Sequence, residues 1–300
     1  KASYMVNYRY STLGIFDALG ISFGVPAIPQ YQDAAFKVHL PTNGKRGSVT
    51  FFGLGGLSHI DLLDSKRDPE EWTFTTSGTD VYFKTKMGVL GLNHKIFLSK
   101  NTYWSNTVSL THAQNDIQSD TLAVLSLRPS TTYQNKSLER RVALNSVINT
   151  KFNARSSLRS GLIIELLNTD YNEEILSSST GLWRPITKFS GSSILLQGFS
   201  NWRYKLNDKF LVNTGLHYQI FTLNNASALE PRIGLRYKIG KKQSLNFAAG
   251  LHSQIQPLRV YFLETRQDEE AFSKTNKELS LTKSIHLVVG YQKKIFKQVN

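Results

Sequence analysis

The side chains that could do chemistry are dispersed along this chain. None of its seven histidines is spaced from another as in a helical metal site, and His217, His252 and His286 each alternate with apolar neighbours. Histidines on the polar side of such an alternation are interpreted as polar lining residues, with contact to a bound ligand as the alternative. The sequence therefore predicts no metal site, no cofactor site and no catalytic residues, and it leaves the ligand-binding residues unknown.

Other features that suggest chemistry are incomplete. The stretch Gly53-Leu54-Gly55-Gly56 lacks the Lys-Ser/Thr of a phosphate-binding loop, and no helical pattern follows it. It is interpreted as glycines that let a strand bend. The chain has no cysteine, which excludes disulfides, thiolate zinc sites and a cysteine nucleophile. We therefore expect that the chain is not an enzyme.

Aromatic residues suggest a different role. Pairs such as Tyr103-Trp104 and Trp202-x-Tyr204 lie near the ends of apolar runs, as in the interfacial girdles of membrane proteins. Trp72 and Trp183 lie in expected loops, where stacking on carbohydrate is the alternative.

The charge balance is strongly basic, with 36 Lys and Arg against 22 Asp and Glu and a net charge of +14. These cations are spread out, and no Lys/Arg block accompanies a nucleic-acid motif, so nucleic acid is not expected as a partner. Contact with anionic lipid head groups, or a basic lumen, explains the charge better. Apolar residues make up 40%, below the roughly 45–50% of globular domains, as suits strands with one apolar face.

Period two is the dominant pattern. In residues 232–239, four apolar side chains alternate with Arg232, Gly234, Arg236 and Lys238, which places the two sets on opposite faces of a strand. The residues expected to face outward to lipid are Leu216, Tyr218, Ile220, Ile233, Leu235, Tyr237, Leu245, Phe247, Leu287 and Val289. Those expected to face a lumen are Arg232, Arg236, Lys238, His252 and Gln254.

About twelve strands are predicted, and long and short connections alternate between them. The segments run over 4–23, 34–40, 48–60, 81–98, 103–114, 138–152, 158–168, 190–205, 210–223, 230–239, 243–255 and 280–296. Many approach the roughly 9–11 residues of a tilted membrane-spanning strand. Short turns at one rim and long loops at the other are typical of outer-membrane barrels. A break near Asp17 and Gly20 is expected in the first segment, and loop 168–189 is expected to form a small structure of its own.

Several segments resemble a known family. "YRYSTLGIFDALGISFG" at 8–24 and "PQYQDAAFKVHLPTNGKRGSVTFFGLGG" at 29–56 are similar to early barrel strands of TonB-dependent receptors of Bacteroidetes. These receptors carry a carboxypeptidase-like regulatory domain before the plug. "LEPRIGLRY" at 229–237, "HSQIQPLRVYF" at 252–262 and "NKELSLTKSIHLVVGYQ" at 276–292 are similar to later strands.

The resemblance implies an outer-membrane transporter for an unidentified nutrient ligand, with a plugged barrel of about 22 strands. Its implied partners are outer-membrane lipid, its own plug domain and the TonB energy-coupling complex. The predicted fold class is all-β, with antiparallel up-and-down transmembrane strands that form part of this larger barrel. Residues 1–300 are predicted to be one outer-membrane barrel domain, partial because plug and regulatory domain are absent from it.

Two alternatives stay open. One is a self-contained twelve-stranded barrel that acts as a porin or a lipid-modifying enzyme, since an even strand number permits closure. The other is a soluble β-rich binding protein, which would bury its apolar face in a dry core.

Overall fold

A computed structural model describes residues 1–11, 29–42, 47–66, 78–123, 128–266 and 272–294. Its main strands are β1 (Ser3–Tyr10), β2 (Gln30–Pro41), β3 (Ser48–Leu63), β4 (Thr79–Phe97), β5 (Thr102–Leu122), β6 (Pro129–Lys151), β7 (Ser156–Leu176), β8 (Trp183–Lys205), β9 (Phe210–Phe221), β10 (Ala226–Lys238) and β11 (Gln243–Gln254). After them come a helical turn α1 (Leu258–Tyr261), a small hairpin β12 (Thr265–Arg266) and β13 (Phe272–Ser273), and β14 (Thr282–Lys293). A 3₁₀ turn covers Asp64–Lys66.

The strands form one sheet in which each strand pairs antiparallel with its neighbour in sequence. Over the described residues the order is β1 to β11 and then β14, twelve strands in all. This confirms the predicted all-β, up-and-down architecture. Strands β1 and β14 do not pair with each other there, so the sheet is open, and the self-closed twelve-stranded barrel is not the arrangement observed.

The strand pairing defines two faces, because directly opposed residues share a face. Ile233 pairs with Ala249, and Ala249 pairs with Leu287; Leu235 pairs with Phe247, and Phe247 with Val289. All ten residues expected on the outward face lie on this common face. Eight of them are between 39% exposed, at Leu235, and 78% exposed, at Val289, and the other two, Tyr237 and Ile220, are half-buried. An apolar face open over so many strands is inconsistent with a soluble protein that buries it in a core.

The opposite face is concave and forms the lumen. Arg232, Arg236, Lys238, His252 and Gln254 lie on it, as predicted from their alternation. Its curvature is evident because one cavity is lined by side chains from β5 across to β14. The connection between β11 and β14 also folds back over this face.

The central strands are longer than the alternation predicted. Strands β5 to β8 contain 21 to 23 residues, so the loops expected at 115–137 and 169–189 are mostly strand. The small separate structure expected at 168–189 is therefore wrong; a turn at residues 177–182 joins β7 directly to β8. The apolar alternation ends before the strand pairing does. The upper parts of these strands, which lead to the connections at residues 123–128 and 177–182, are polar on their outward face.

Strand β7 shows this change on one face. Leu158, Leu162, Ile164 and Leu166 are apolar and face outward, and the sequence then continues on that face with polar residues from Asn168 to Glu174. At about 3.3 Å per residue, the apolar part extends about 26 Å along the strand, which at a tilt of about 40° covers about 20 Å of a lipid band about 25 Å tall. The polar ends therefore project beyond the band.

Some predictions lie outside the described residues. The part of the first segment beyond Ser11, with Asp17 and Gly20, is among them, as is Trp72. The short turns after β4, β6, β8 and β10 are observed where they were expected. No helix among the described residues has the length and apolar character needed to cross a membrane.

Candidate functional site

The lumen face is partly covered by a segment that we call the inward loop, residues 255–264. Its helical turn α1 and the following Phe262 pack on β7, β8 and β9. Phe262 stacks on Phe189 with ring centroids 3.6 Å apart, and Tyr261 packs against Phe221 at 5.4 Å. The buried apolar cluster formed in this way contains Leu167, Tyr171, Leu195, Phe221, Leu258, Tyr261 and Phe262. The largest apolar core of the described residues thus lies inside the lumen.

An ion pair fastens the inward loop to β7. The Arg259 guanidinium donates to both carboxylate oxygens of Glu173, with Nε 2.6 Å from Oε2, and the Tyr133 hydroxyl donates to Oε1 at 2.8 Å. Glu173 is only 3% exposed. Burial alone would raise the pKa of Glu173, but the hydrogen bonds from Arg259 and Tyr133 outweigh it and lower that pKa below its usual range. The carboxylate therefore stays ionised and accepts these bonds at neutral pH.

A second tyrosine–carboxylate contact lies beside the first. The Tyr171 hydroxyl donates to Glu139 on β6. Burial, together with this hydrogen bond to a carboxylate, raises the pKa of Tyr171. The hydroxyl therefore remains protonated, and the contact rigidifies the wall on which the inward loop rests.

Deeper in the lumen, Glu230 on β10 organises a polar cluster. It is 1% exposed and accepts hydrogen bonds from Arg232, from Gln219 Nε2 at 2.9 Å and from the backbone N–H of Ser253 at 3.1 Å. His217 Nδ1 lies 3.1 Å from the same carboxylate. A buried carboxylate with this many partners is stable as a charge, and it ties β9, β10 and the end of β11 together.

Below these clusters lies a basic trough with a cavity volume of about 670 Å³. Its polar lining includes Tyr103, Asn149, Lys151, Arg159, Asn201, Arg203, Asn213, Arg232, His252 and His286. Lys151, Arg159 and Arg203 form no ion pair with any carboxylate of the described residues. The trough therefore carries positive charge without a matching negative surface in the described part of the chain.

The predicted lining histidines are in this trough or at its edge. His252 and His286 lie with ring centroids 4.5 Å apart, while His217 is drawn into the Glu230 cluster. No group of three His, Cys, Asp or Glu side chains in the described ranges is arranged to hold a metal ion. Gly53–Gly56 lies within β3 and pairs with β4, not at a helix N-terminus, so the phosphate-loop alternative is wrong.

Glu173, Glu230 and Arg259 were not singled out from the sequence. Glu230 and Arg259 stand within the segments 229–237 and 252–262, yet neither residue has a local pattern that marks it. The only signal for Glu230 is an acidic residue on the polar side of an apolar alternation. The partner of Arg259 is 86 positions away in sequence, and only the folded chain brings the two together.

Comparison with known proteins agrees with this architecture. The family described as TonB dependent receptor-like, beta-barrel, matches residues 28–279. The solved structure titled "Copper transporter OprC" is similar with a TM-score of 0.66 and 11% identity, over 99% of this chain and 47% of that one. The ferric yersiniabactin uptake receptor FyuA from Yersinia pestis is similar with a TM-score of 0.59 and 11% identity, over 89% of this chain and 43% of that one. The RagAB peptide importer is similar with a TM-score of 0.54 and 10% identity, over 88% of this chain and 40% of that one.

The chain thus spans less than half the length of each of these structures. At these identities the similarity shows the fold. Among curated proteins, none matches the chain by sequence.

Proposed function

The chain belongs to the family of TonB-dependent receptor-like β-barrels, and we propose that it is barrel wall of an outer-membrane transporter that imports a nutrient ligand. TonB and its inner-membrane complex would supply the energy. The observation that carries the proposal is the pair of faces of one sheet: an exposed apolar face outside and a concave, charged face inside. The relatives in the family are receptors and transporters, which supports a role without catalysis.

The basic trough supports a plug domain as partner. Lys151, Arg159 and Arg203 project into a lumen that a plug fills in receptors of this kind, and carboxylates of the plug would neutralise them. An anionic ligand that passes along the wall would meet the same charges. The segments quoted at 8–24, 29–56 and 229–237 further support the Bacteroidetes type, with a regulatory domain before the plug. The proposed domain assignment of residues 1–300 is a partial outer-membrane barrel.

Growth under nutrient limitation tests the transport function. We expect a host strain without the gene for this chain to lose growth on one nutrient source only, and a strain without TonB to lose the same growth. Copper, ferric yersiniabactin and peptides are the first sources to compare, because the structurally similar proteins are described by these ligands. Growth on every source, in both strains, would contradict the proposal.

Charge reversal in the trough tests the plug contact. We expect Arg159→Glu combined with Arg203→Glu, in the complete protein, to loosen the plug and raise the entry of a large antibiotic about tenfold, because close like charges repel. Antibiotic sensitivity of intact cells is the measurement. Arg155→Glu, in the exposed turn between β6 and β7, is the matched control and should have no effect. Unchanged sensitivity of a correctly inserted double variant would show that the plug does not rest on these cations.

A further inference from the structure

We propose that the outward face of β2 to β6 carries a binding groove for a phosphorylated lipid of the outer leaflet. The acyl part would lie in an apolar depression, and the phosphate would contact Arg140 and Lys86 above it. The inference rests on the proposed membrane location, and it adds a lipid site outside the lumen to the proposed transport function.

The depression exists because two glycines face each other. Gly55 on β3 pairs directly with Gly88 on β4, and Ala34 on β2 pairs with Gly55 on the other side. A Cβ added to Gly88 would meet no heavy atom closer than 3.9 Å. Three adjacent strands therefore present almost no side chain to the outside at this level, where neighbouring rows carry leucine and phenylalanine.

The cavity at this place has a volume of about 870 Å³. Its apolar walls are Phe36, Leu57, Leu90, Leu110 and Val142, all of which share the outward face by strand pairing. Leu57, Leu90 and Leu110 are each close to half exposed. A depression of this size in the apolar band has the dimensions and chemistry to hold part of an acyl chain.

The upper rim of the groove is basic. Continuing the row of Gly55 and Gly88, the next paired residues are His112 on β5 and Arg140 on β6. With strands about 4.8 Å apart, the Arg140 backbone lies roughly 10 Å from Gly88. Lys86 lies two residues before Gly88 on the same face of β4, one step farther from the apolar band. A cationic rim thus borders the apolar depression.

Arg140 and Lys86 are exposed and form no ion pair within the described ranges. Cations at the border of hydrocarbon need a counter-charge or water. A phosphate supplies both a charge and several acceptor oxygens, and arginine binds it with two parallel hydrogen bonds. The groove and its rim therefore favour a phosphorylated lipid over an uncharged lipid or an apolar peptide.

Lipid binding to the complete protein, purified and placed in phosphatidylcholine nanodiscs, is the test. The probe is diphosphorylated lipid A, and bound lipid is measured by native mass spectrometry. We expect Lys86→Gln with Arg140→Gln to weaken lipid A binding about tenfold or more, since two charge-assisted contacts are lost. Lys136→Gln with Lys188→Gln removes the same charge from the outward face farther from the groove, and binding should be retained.

A second variant tests the depression without a change in charge. Gly88→Leu fills the floor and should also weaken lipid A binding, while Gly198→Leu, on the outward face of β8, should not. Excess inorganic phosphate should compete poorly, because it lacks the acyl part. Equal binding by all variants, or displacement by phosphate alone, would overturn the lipid proposal. Growth on the transported nutrient should persist in the groove variants, so failure here is separate from failure of the transport function.

Discussion

Val108→Arg is expected to destabilise the folded barrel by about 2–4 kcal/mol, because it places a cation at the middle of the lipid-facing band. Val108 is 47% exposed on the outward face and lies between Leu92 on β4 and Leu144 on β6. Hydrocarbon on all sides leaves the guanidinium without water or a partner, and the long side chain must bend toward the interface to reach either.

The neighbouring residue provides the control. Ser109 lies on the lumen face, opposite Gly91 and Ala143, so an arginine there does not enter the hydrocarbon. Ser109→Arg should therefore change the free energy of unfolding far less than Val108→Arg. The measurement is urea unfolding of the complete protein in bilayers, followed by heat-dependent mobility on gels. Equal effects of the two variants would mean that the apolar face does not contact lipid.

This pair of residues also illustrates what the sequence determines. In a strand that has lipid on one side and a polar lumen on the other, every second residue is apolar. The residues of β9, β10, β11 and β14 that face outward can therefore be predicted from local sequence alone. The short turns follow as well, because Asn, Asp and Gly mark the sites where two strands meet. Strand number and up-and-down order then follow from the spacing of these turns.

The upper strand ends do not follow from the same pattern. From Asn168 to Glu174 the outward side chains of β7 are polar, and lumen side chains such as Tyr171 are partly apolar. Alternation disappears there, although backbone hydrogen bonds continue to Leu176. Hydrophobic periodicity detects lipid contact and not strand pairing, which explains why the predicted segments ended where the membrane band ends.

Long-range polar contacts were equally beyond prediction. Arg259 belongs to the connection between β11 and β14, and its partner Glu173 lies four strands away on β7. The contact depends on how strongly the sheet curves and on how the inward loop folds, and both are tertiary properties. The lipid groove has the same origin, because the Gly55–Gly88 pair exists only in one register of β3 and β4.

Arg259→Leu is expected to release the inward loop from β7 at a cost of about 1.5–3 kcal/mol, the range for a lost hydrogen bond to a charged group. The substitution leaves the Glu173 carboxylate buried without its cation. Glu173→Gln should cost less, because the amide still accepts from Tyr133 and carries no charge. The free energy that holds the inward loop on β7 should fall less in the double variant than the sum of its losses in the two single variants, because both substitutions break one shared interaction.

Cysteine labelling provides the readout, because this chain has no cysteine of its own. Val260→Cys in α1 reports how often the inward loop lifts. Each increment of about 1.4 kcal/mol changes an equilibrium constant tenfold. Arg259→Leu should therefore raise the labelling rate of the complete protein about 10- to 100-fold. Lys274→Leu removes the more distant pair with Glu264, 3.9 Å apart, and should change the rate little.

The pH dependence follows from the lowered pKa of Glu173. A carboxyl whose pKa is depressed on folding stabilises the folded form above its unfolded pKa, about 4.3 for glutamate, and loses that contribution as pH falls through the folded value. Acid itself lowers the reactive thiolate fraction, so labelling of the Val260→Cys protein is taken relative to the same protein unfolded at the same pH. This relative rate should stay low at neutral pH and rise only in strong acid, whereas Glu173→Gln should show no such rise. If Arg259→Leu labels at the parental rate, the ion pair does not hold the loop, and the apolar packing of Phe262 on Phe189 and of Tyr261 on Phe221 keeps it in the lumen.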